Sequence, residues 1–378
     1  MTLWDFGLRS GSFLKIGKML NFPRVLTLFC LISWTNGQCV DENGVFVDWV
    51  AMYKFPKDSK ASNSYIDEGL AYAYISSKNP HADWKLSEFS IKDENSIPGR
   101  ILSPIYKNDP DQFHMLYNDE HPNGTTSFTL GHTKGVVALN EKYGFWMIHS
   151  VPKYPPNLDS EKYDYPHTGQ MYGQSFLCIS LLTPTSAEQI GQQMIFNSPF
   201  IYSVNLPKWA EKNYPTLASA ANGNHAKKGK SFNVMTFSSL GGHSFTSFAK
   251  AKHFGEDLYA ELVAPTLKTN LMVESWPNGP GKMHSSCDNR YKVENIDSLD
   301  FEIQTKIKFS THKDHAKWAV AYGDEMTMTD AEKYVCIGDI NRMETQKKRG
   351  GGTVCFRNPD LWKRFTQIIQ SVEACPRR

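Results

Sequence analysis

Gly131-His132-Thr133-Lys134 runs into Gly135-Val136-Val137-Ala138-Leu139, and Asp314-His315-Ala316-Lys317 runs into Trp318-Ala319-Val320-Ala321-Tyr322. The two stretches lie in opposite halves of a 378-residue chain. Histidine, lysine, valine and alanine fall at matching offsets in both. In an extended segment, residues two apart point to the same face, so each histidine shares a face with its lysine. That pairing suits a phosphate: lysine holds the negative charge, and histidine attacks phosphorus or moves a proton.

The tripeptide alone is weak. With twelve histidines, about one chance match is expected, and His225-Ala226-Lys227 is a third copy. It lies in a stretch rich in Asn, Gly and Lys with no strand around it, so it reads as the accident. The outer two share a flanking strand pattern and are retained. Two histidines facing one phosphate can divide the work. One attacks in line, and the other protonates the leaving oxygen and then activates water. Their lysines neutralise the non-bridging oxygens. The rival reading is two solvated strand ends.

At 40% hydrophobic and 13% aromatic residues the chain can bury a large core. No run approaches the roughly 18 apolar residues of a membrane helix, so no membrane span is expected. Arg9, Lys15, Lys18 and Arg24 precede the apolar stretch Val25 to Trp34, and Thr35-Asn36-Gly37 follows. Residues 1–37 therefore read as a secretory signal peptide, with Met19 an alternative start. Those residues carry four basic groups and Asp5, so the total of +2 becomes −1 without them. All twelve histidines lie beyond residue 37, and full protonation would bring the charge to +11. Such a chain attracts polyanions far better in an acidic compartment.

Six cysteines remain beyond the signal: Cys39, Cys178, Cys287, Cys336, Cys355 and Cys375. An even number in a secreted chain argues for three disulfides, and spacing does not choose their pairing. None has CxxC spacing, and no carboxylate cluster suggests a divalent site, so neither metal nor cofactor is expected. Asn123-Gly124-Thr125 is a glycosylation sequon in a polar loop.

Short strand-like runs at Val45 to Tyr53, Leu70 to Ile75, Phe128 to Leu139 and Phe145 to His149 suggest a large sheet. Ser186 to Phe196 reads as a helix capped by Ser186, and 213–230 as a polar linker. The halves are then 38–220 and 221–378. Gly255 to Leu267 reads as helical, Leu271 to Trp276 and Ala316 to Tyr322 as strands. Leu361 to Val372 reads as a closing helix entered through Asn358-Pro359. Mixed strands and helices fit an α/β or α+β sandwich.

The chain also resembles the deoxyribonuclease II family from about Val40 to Cys375. The likeness rests on Gly131 to Gly135, Gly144 to Pro152, Gly169 to Ser175, Ser247 to Lys250, Phe254 to Tyr259, Asp314 to Trp318, Gly338 to Arg342 and Arg349 to Thr353. The resemblance implies a phospholipase D-like fold, with two pseudo-symmetric sheet-and-helix halves sharing one active site. It implies metal-free cleavage of DNA to 3′-phosphate ends at acid pH, in a lysosomal or secreted protein, monomeric or homodimeric. Carried over, His132/Lys134 and His315/Lys317 are the two half-sites, with His132 as nucleophile and His315 as general acid, or the reverse. The implied disulfides are Cys39–Cys178, Cys287–Cys375 and Cys336–Cys355.

The wider superfamily places an aspartate five residues after each lysine, where this chain has Leu139 and Tyr322. Any orienting carboxylate must come from elsewhere. Gly338-Asp339-Ile340-Asn341 resembles the superfamily's Gly-Ser-x-Asn element, making Asn341 a phosphate contact or a turn residue. Arg349, ahead of three glycines, either approaches a DNA backbone or belongs to a tight turn. His149 either lines the site or is structural. Two rival functions are a lipid phosphodiesterase, which needs an apolar entrance, and an inert secreted DNA-binding protein, which needs no intact His/Lys pairs.

Overall fold

A computed structural model describes residues 37–302, 306–324 and 327–376. The signal peptide expected at 1–37 lies outside the described residues except for Gly37. Eight strands form a first sheet: β1 (Trp49–Lys54), β2 (Tyr72–Ser76), β3 (Lys85–Leu86), β4 (Phe113–Tyr117), β5 (Gly135–Leu139), β6 (Tyr143–His149), β7 (Gln174–Leu182) and β8 (Ile201–Asn205). Their order is β3-β2-β1-β7-β6-β5-β4-β8. Nine form a second: β9 (Phe232–Ser238), β10 (Ser244–Lys250), β11 (Asn270–Glu274), β12 (Val293–Glu302), β13 (Lys306–Ser310), β14 (Trp318–Tyr322), β15 (Tyr334–Gly338), β16 (Gly351–Arg357) and β17 (Ile369–Glu373). Their order is β13-β12-β11-β14-β15-β16-β10-β9, with β17 paired to β12. The molecule is thus mixed α+β with two large sheets.

The two sheets stack because their central strands are apolar on both faces. In β5, Val137 and Leu139 join the core between the sheets, while Val136 and Ala138 pack on the outer side. In β14, Trp318 and Val320 face the shared core, and Ala319 and Ala321 face away. Aromatic contacts knit the shared core, as between Trp49 and Phe356 at 5.3 Å and Tyr53 and Phe301 at 4.9 Å. The motif strands are therefore anchored deep in the protein, and their entry ends are held in place. The disulfides are Cys39–Cys178, Cys287–Cys375 and Cys336–Cys355, the last joining directly opposed residues of β15 and β16. No helix among the described residues is long and apolar enough to cross a membrane.

Several elements differ from the sequence reading. The helix expected from Ser186 runs Thr183–Asn197, because Pro184 fits its first turn. Part of the stretch read as a linker, 213–230, is a helix at Pro215–Ala221, begun by a proline and rich in alanine. The boundary drawn at 220/221 falls in this helix, while the sheets divide between β8 and β9. The closing helix spans Pro359–Gln367, capped by the Asn358 side chain as expected. Its last expected residues become β17, because Ile369 to Glu373 can pair along β12. The first motif precedes its strand: Gly131 to Lys134 is irregular, with strand pairing from Gly135.

Candidate active site

Antiparallel pairing puts the ends of β4, β6, β11 and β15 beside the starts of β5, β7, β14 and β16. Gly135 pairs with Tyr117 and Ile148, and Trp318 pairs with Glu274 and Ile337. One edge of each sheet thus collects His132, Lys134, Ser150, Gln174, Glu274, His315, Lys317, Asp339 and Arg349. The motif side chains are deeply set, with His132 7% exposed, His315 6%, Lys134 1% and Lys317 0%.

Each histidine is held by the opposite half of the chain. The His132 backbone N–H donates to the Gly350 carbonyl at 2.9 Å, and its Nδ1 meets the Asp339 carbonyl. The His315 backbone N–H donates to the Gly173 carbonyl at 2.8 Å, and its Nδ1 meets the Ser150 carbonyl at 2.9 Å. A carbonyl oxygen only accepts, so Nδ1 carries the proton in both rings. Nε2 is then the free base in the neutral form, and its direction is fixed. Glycine allows these crossings. A Cβ on Gly131 would collide with the Asn197 carbonyl, and one on Gly173 with the Asp314 carboxylate.

The carboxylates are not where the superfamily pattern puts them. Asp119, just after β4, receives the Lys134 ammonium, pairs with Arg349 Nη1 at 3.1 Å and lies 3.8 Å from His132 Nε2. Burial alone would raise its carboxyl, but Lys134, His132 and Arg349 hold it well below the usual carboxylate range. The second half has no such pair. Lys317 Nζ donates to the His315 carbonyl. Asp314 accepts from the Tyr53 hydroxyl, and its carboxyl is pushed up by burial to about 6. Asp339 accepts from Thr133 and from the Gly352 N–H and is likewise raised by burial to about 6. Glu274 is wholly buried against the Asp314 carboxyl, with no N–H or hydroxyl donor reaching either of its oxygens. Burial, then the neighbouring Asp314 charge, pushes it well up.

Burial and the neighbouring lysines drive both histidines the other way. Burial and the Lys134 ammonium lower His132 well below the usual imidazole range, and burial with Lys317 and Lys134 does the same to His315. Burial, then Lys134, also lowers Lys317. The Lys134 charge acts on His132, His315 and Lys317 alike, so the two half-sites lie close together. Two imidazole bases and two ammonium groups are a set of side chains suited to a tetrahedral anion.

The remaining sequence candidates sort as follows. Asn341 is 4% exposed, with Oδ1 unpartnered. Arg349 is turned inward: its guanidinium donates to the carbonyls of Leu130, Ser127 and Gly131 and to Asp119. It therefore clamps the loop carrying His132 rather than reaching outward to a DNA backbone. His149 is fully buried, its Nδ1 accepting from the Val151 N–H at 3.2 Å, which is a structural placement behind Lys134. Asn123 sits exposed in a turn. His225, the third motif, is half-buried and contacts the nearby Gly223 carbonyl rather than any motif residue. Among the described residues no group of three His, Cys, Asp or Glu side chains is placed to hold a metal.

The profile of the deoxyribonuclease II family matches residues 38–375. The chain belongs to the deoxyribonuclease II family. It is 34% identical to mouse deoxyribonuclease-2-alpha over 92% of this chain and 97% of that protein. It is 34% identical to the cell death-related nuclease 6 of Caenorhabditis elegans, over 93% of each chain. It is 35% identical to plancitoxin-1 of Acanthaster planci, over 89% of this chain and 92% of that protein. Asp119 and Glu274 are the groups beside the motifs that sequence reasoning missed. Asp314 and Asp339 stood inside quoted motifs, but nothing about them signalled a role. No local pattern marks Asp119 or Glu274, since each reaches the site through strand pairing.

Proposed function

We propose that this chain is an acid endodeoxyribonuclease that needs no metal and leaves 3′-phosphate ends. The carrying observation is the pair of buried imidazoles, each with Nδ1 tied to a carbonyl and each beside a lysine. His132 Nε2 attacks the phosphorus of a DNA diester as His315, protonated, gives its proton to the departing 5′ oxygen. The P–O5′ bond breaks and a phosphohistidine forms. Neutral His315 then takes a proton from water, whose oxygen attacks phosphorus and releases His132 and the 3′-phosphate. Attack through Nε2 with Nδ1 protonated leaves positive charge on His132, and the Asp119 carboxylate at 3.8 Å stabilises it.

Burial, then Lys317 and Lys134, lower His315, and no carboxylate offsets them, so its protonated form is a stronger acid than a free imidazolium. This supports an acid optimum. The companion role is degradation of DNA from dying or engulfed cells in the lysosome or outside the cell. It is supported by the three disulfides and the cell death-related relative. A glycan on exposed Asn123 fits the same route.

The test is plasmid cleavage at about pH 5 with excess chelator. Wild type is expected to cut, and His132→Ala and His315→Ala are not. Cutting only with added metal would sink the mechanism, and normal cutting by both variants would sink the site.

A further inference from the structure

The third His-x-Lys motif marks a different feature. His225, Lys227, Lys228 and Lys230 follow the helix Pro215–Ala221 and are brought against the end of the helix Thr183–Asn197. The Ala226 N–H donates to the Ile195 carbonyl at 2.8 Å, and Lys230 Nζ lies 5.8 Å from the Phe196 ring centre. The Ala251 N–H donates to the Ser231 carbonyl at 2.8 Å, which brings Lys252 alongside. Buried Lys250 donates to the Lys347 and Arg349 carbonyls, which brings the backbone of 347–349 beside this segment. The sequence has no acidic residue in 222–231, 250–253 or 345–350. Among the described residues, no carboxylate pairs with Lys227, Lys228, Lys252 or Lys348, all of them exposed, whereas Lys347 meets Glu344 at 3.2 Å.

This patch abuts the His132 half-site. The Gly131 N–H donates to the Ser198 carbonyl at 2.7 Å, just past the same helix, and the His132 N–H bonds Gly350. The chain beyond residue 37 has a net charge of −1, so such a cluster is not a sample of the whole surface.

We propose that Lys227, Lys228, Lys230, Lys252, Lys347 and Lys348 form a non-catalytic track for the DNA backbone. It holds phosphates flanking the one in the catalytic space. It rests on the nuclease reading only for the identity of the polyanion. Phosphate contacts of this kind position a substrate without reading its sequence and release counterions on binding. The structural rival is that these lysines complement the C-terminal end of the helix Thr183–Asn197. That role would lower stability and leave the salt dependence of DNA binding unchanged.

Binding of a duplex of about 30 base pairs is followed by anisotropy across a salt series, in a His315→Ala background that leaves the DNA intact. K227E/K228E/K252E is expected to weaken binding more than about tenfold and to lower the log–log salt slope by about 3. The charge-matched control K107E/K142E/K162E, at exposed lysines elsewhere, is expected to keep the slope within about 1. K227Q/K228Q/K252Q should shift in the same direction and serves if the reversed triple does not fold. Unchanged slope and affinity in the first triple, or an equal fall in the control, overturns the track. Hydrolysis of bis(p-nitrophenyl) phosphate, with His315 intact, reads the catalytic site separately and should be unchanged by the lysine triple. If the unsubstituted chain hydrolyses no diester, the nuclease reading falls while the salt slope still decides the track.

Discussion

His132 and His315 occupy equivalent frames with unequal charges. Each takes a backbone bond and a ring bond from the other half of the chain, through Gly350 and Asp339 in one case and Gly173 and Ser150 in the other. Beside His132, Asp119 binds Lys134 and Arg349 as a buried carboxylate. Beside His315 the acids are Asp314, which meets Tyr53, and Glu274, which faces Asp314 and no cation within pairing distance. Equivalent backbones therefore give two imidazoles of fixed direction in unequal charge surroundings. The proposed division of roles follows that difference: the proposed nucleophile has the anion beside it, and the proposed acid does not.

The largest effect comes from the histidines. Each alanine variant should lose at least about a thousandfold in rate, about 4 kcal/mol of transition-state stabilisation. The roles separate with a diester bearing a good leaving group. His315→Ala should trap phosphate on His132, and His132→Ala should trap none. Label on His315 in place of His132 would reverse the assignment.

The next contrast concerns the acids. Asp119→Asn leaves two buried cations uncompensated and should cost about 3 kcal/mol in urea unfolding at neutral pH. Glu274 already favours its protonated form, so Glu274→Gln should cost under about 1 kcal/mol. Equal losses would show that the halves are not electrostatically distinct.

Where the halves are alike, they should titrate alike. Asp339 and Asp314 have folded values near 6, above the unfolded value of about 3.9. The fold then binds a proton that the unfolded chain lacks, so each contribution grows as pH falls from above 6 towards 4. Asparagine mimics the protonated acid and has no such dependence. Asp339→Asn should therefore lose about 2 kcal/mol relative to wild type between pH 7 and pH 4, and Asp314→Asn about the same. A gap that does not change with pH would contradict the burial of these groups. The buried histidines, lowered when folded, act in the opposite sense, and their contribution is lost as pH falls below about 6.5. The smallest effect is expected at His225→Ala, which should stay within about twofold of wild type in diester hydrolysis.

Much of the site was legible because His132, Lys134, His315 and Lys317 carry their own local pattern. The strand that follows each motif was legible from its apolar run, since central strands are apolar on both faces. Arg349 was read from the sequence as a DNA contact or a turn residue, not as an inward clamp. Its partners Leu130, Ser127 and Gly131 lie more than 200 positions away in sequence. The tail beyond Gln367 was read as the end of the helix, because helix and strand compete there and only pairing along β12 decides between them.

By itself the sequence determined the chemistry available: two histidine–lysine pairs, three disulfides' worth of cysteine, and a core large enough for two sheets. Tertiary structure alone decided which carboxylates serve those pairs and which half supports which histidine. The reason is physical. Side-chain type and short spacing are local properties, whereas a hydrogen bond from His132 to Asp339 exists only because two stacked sheets present the same edge. The charges that set each imidazole's proton affinity arrive from strands remote in sequence. No reading along the chain could have placed them.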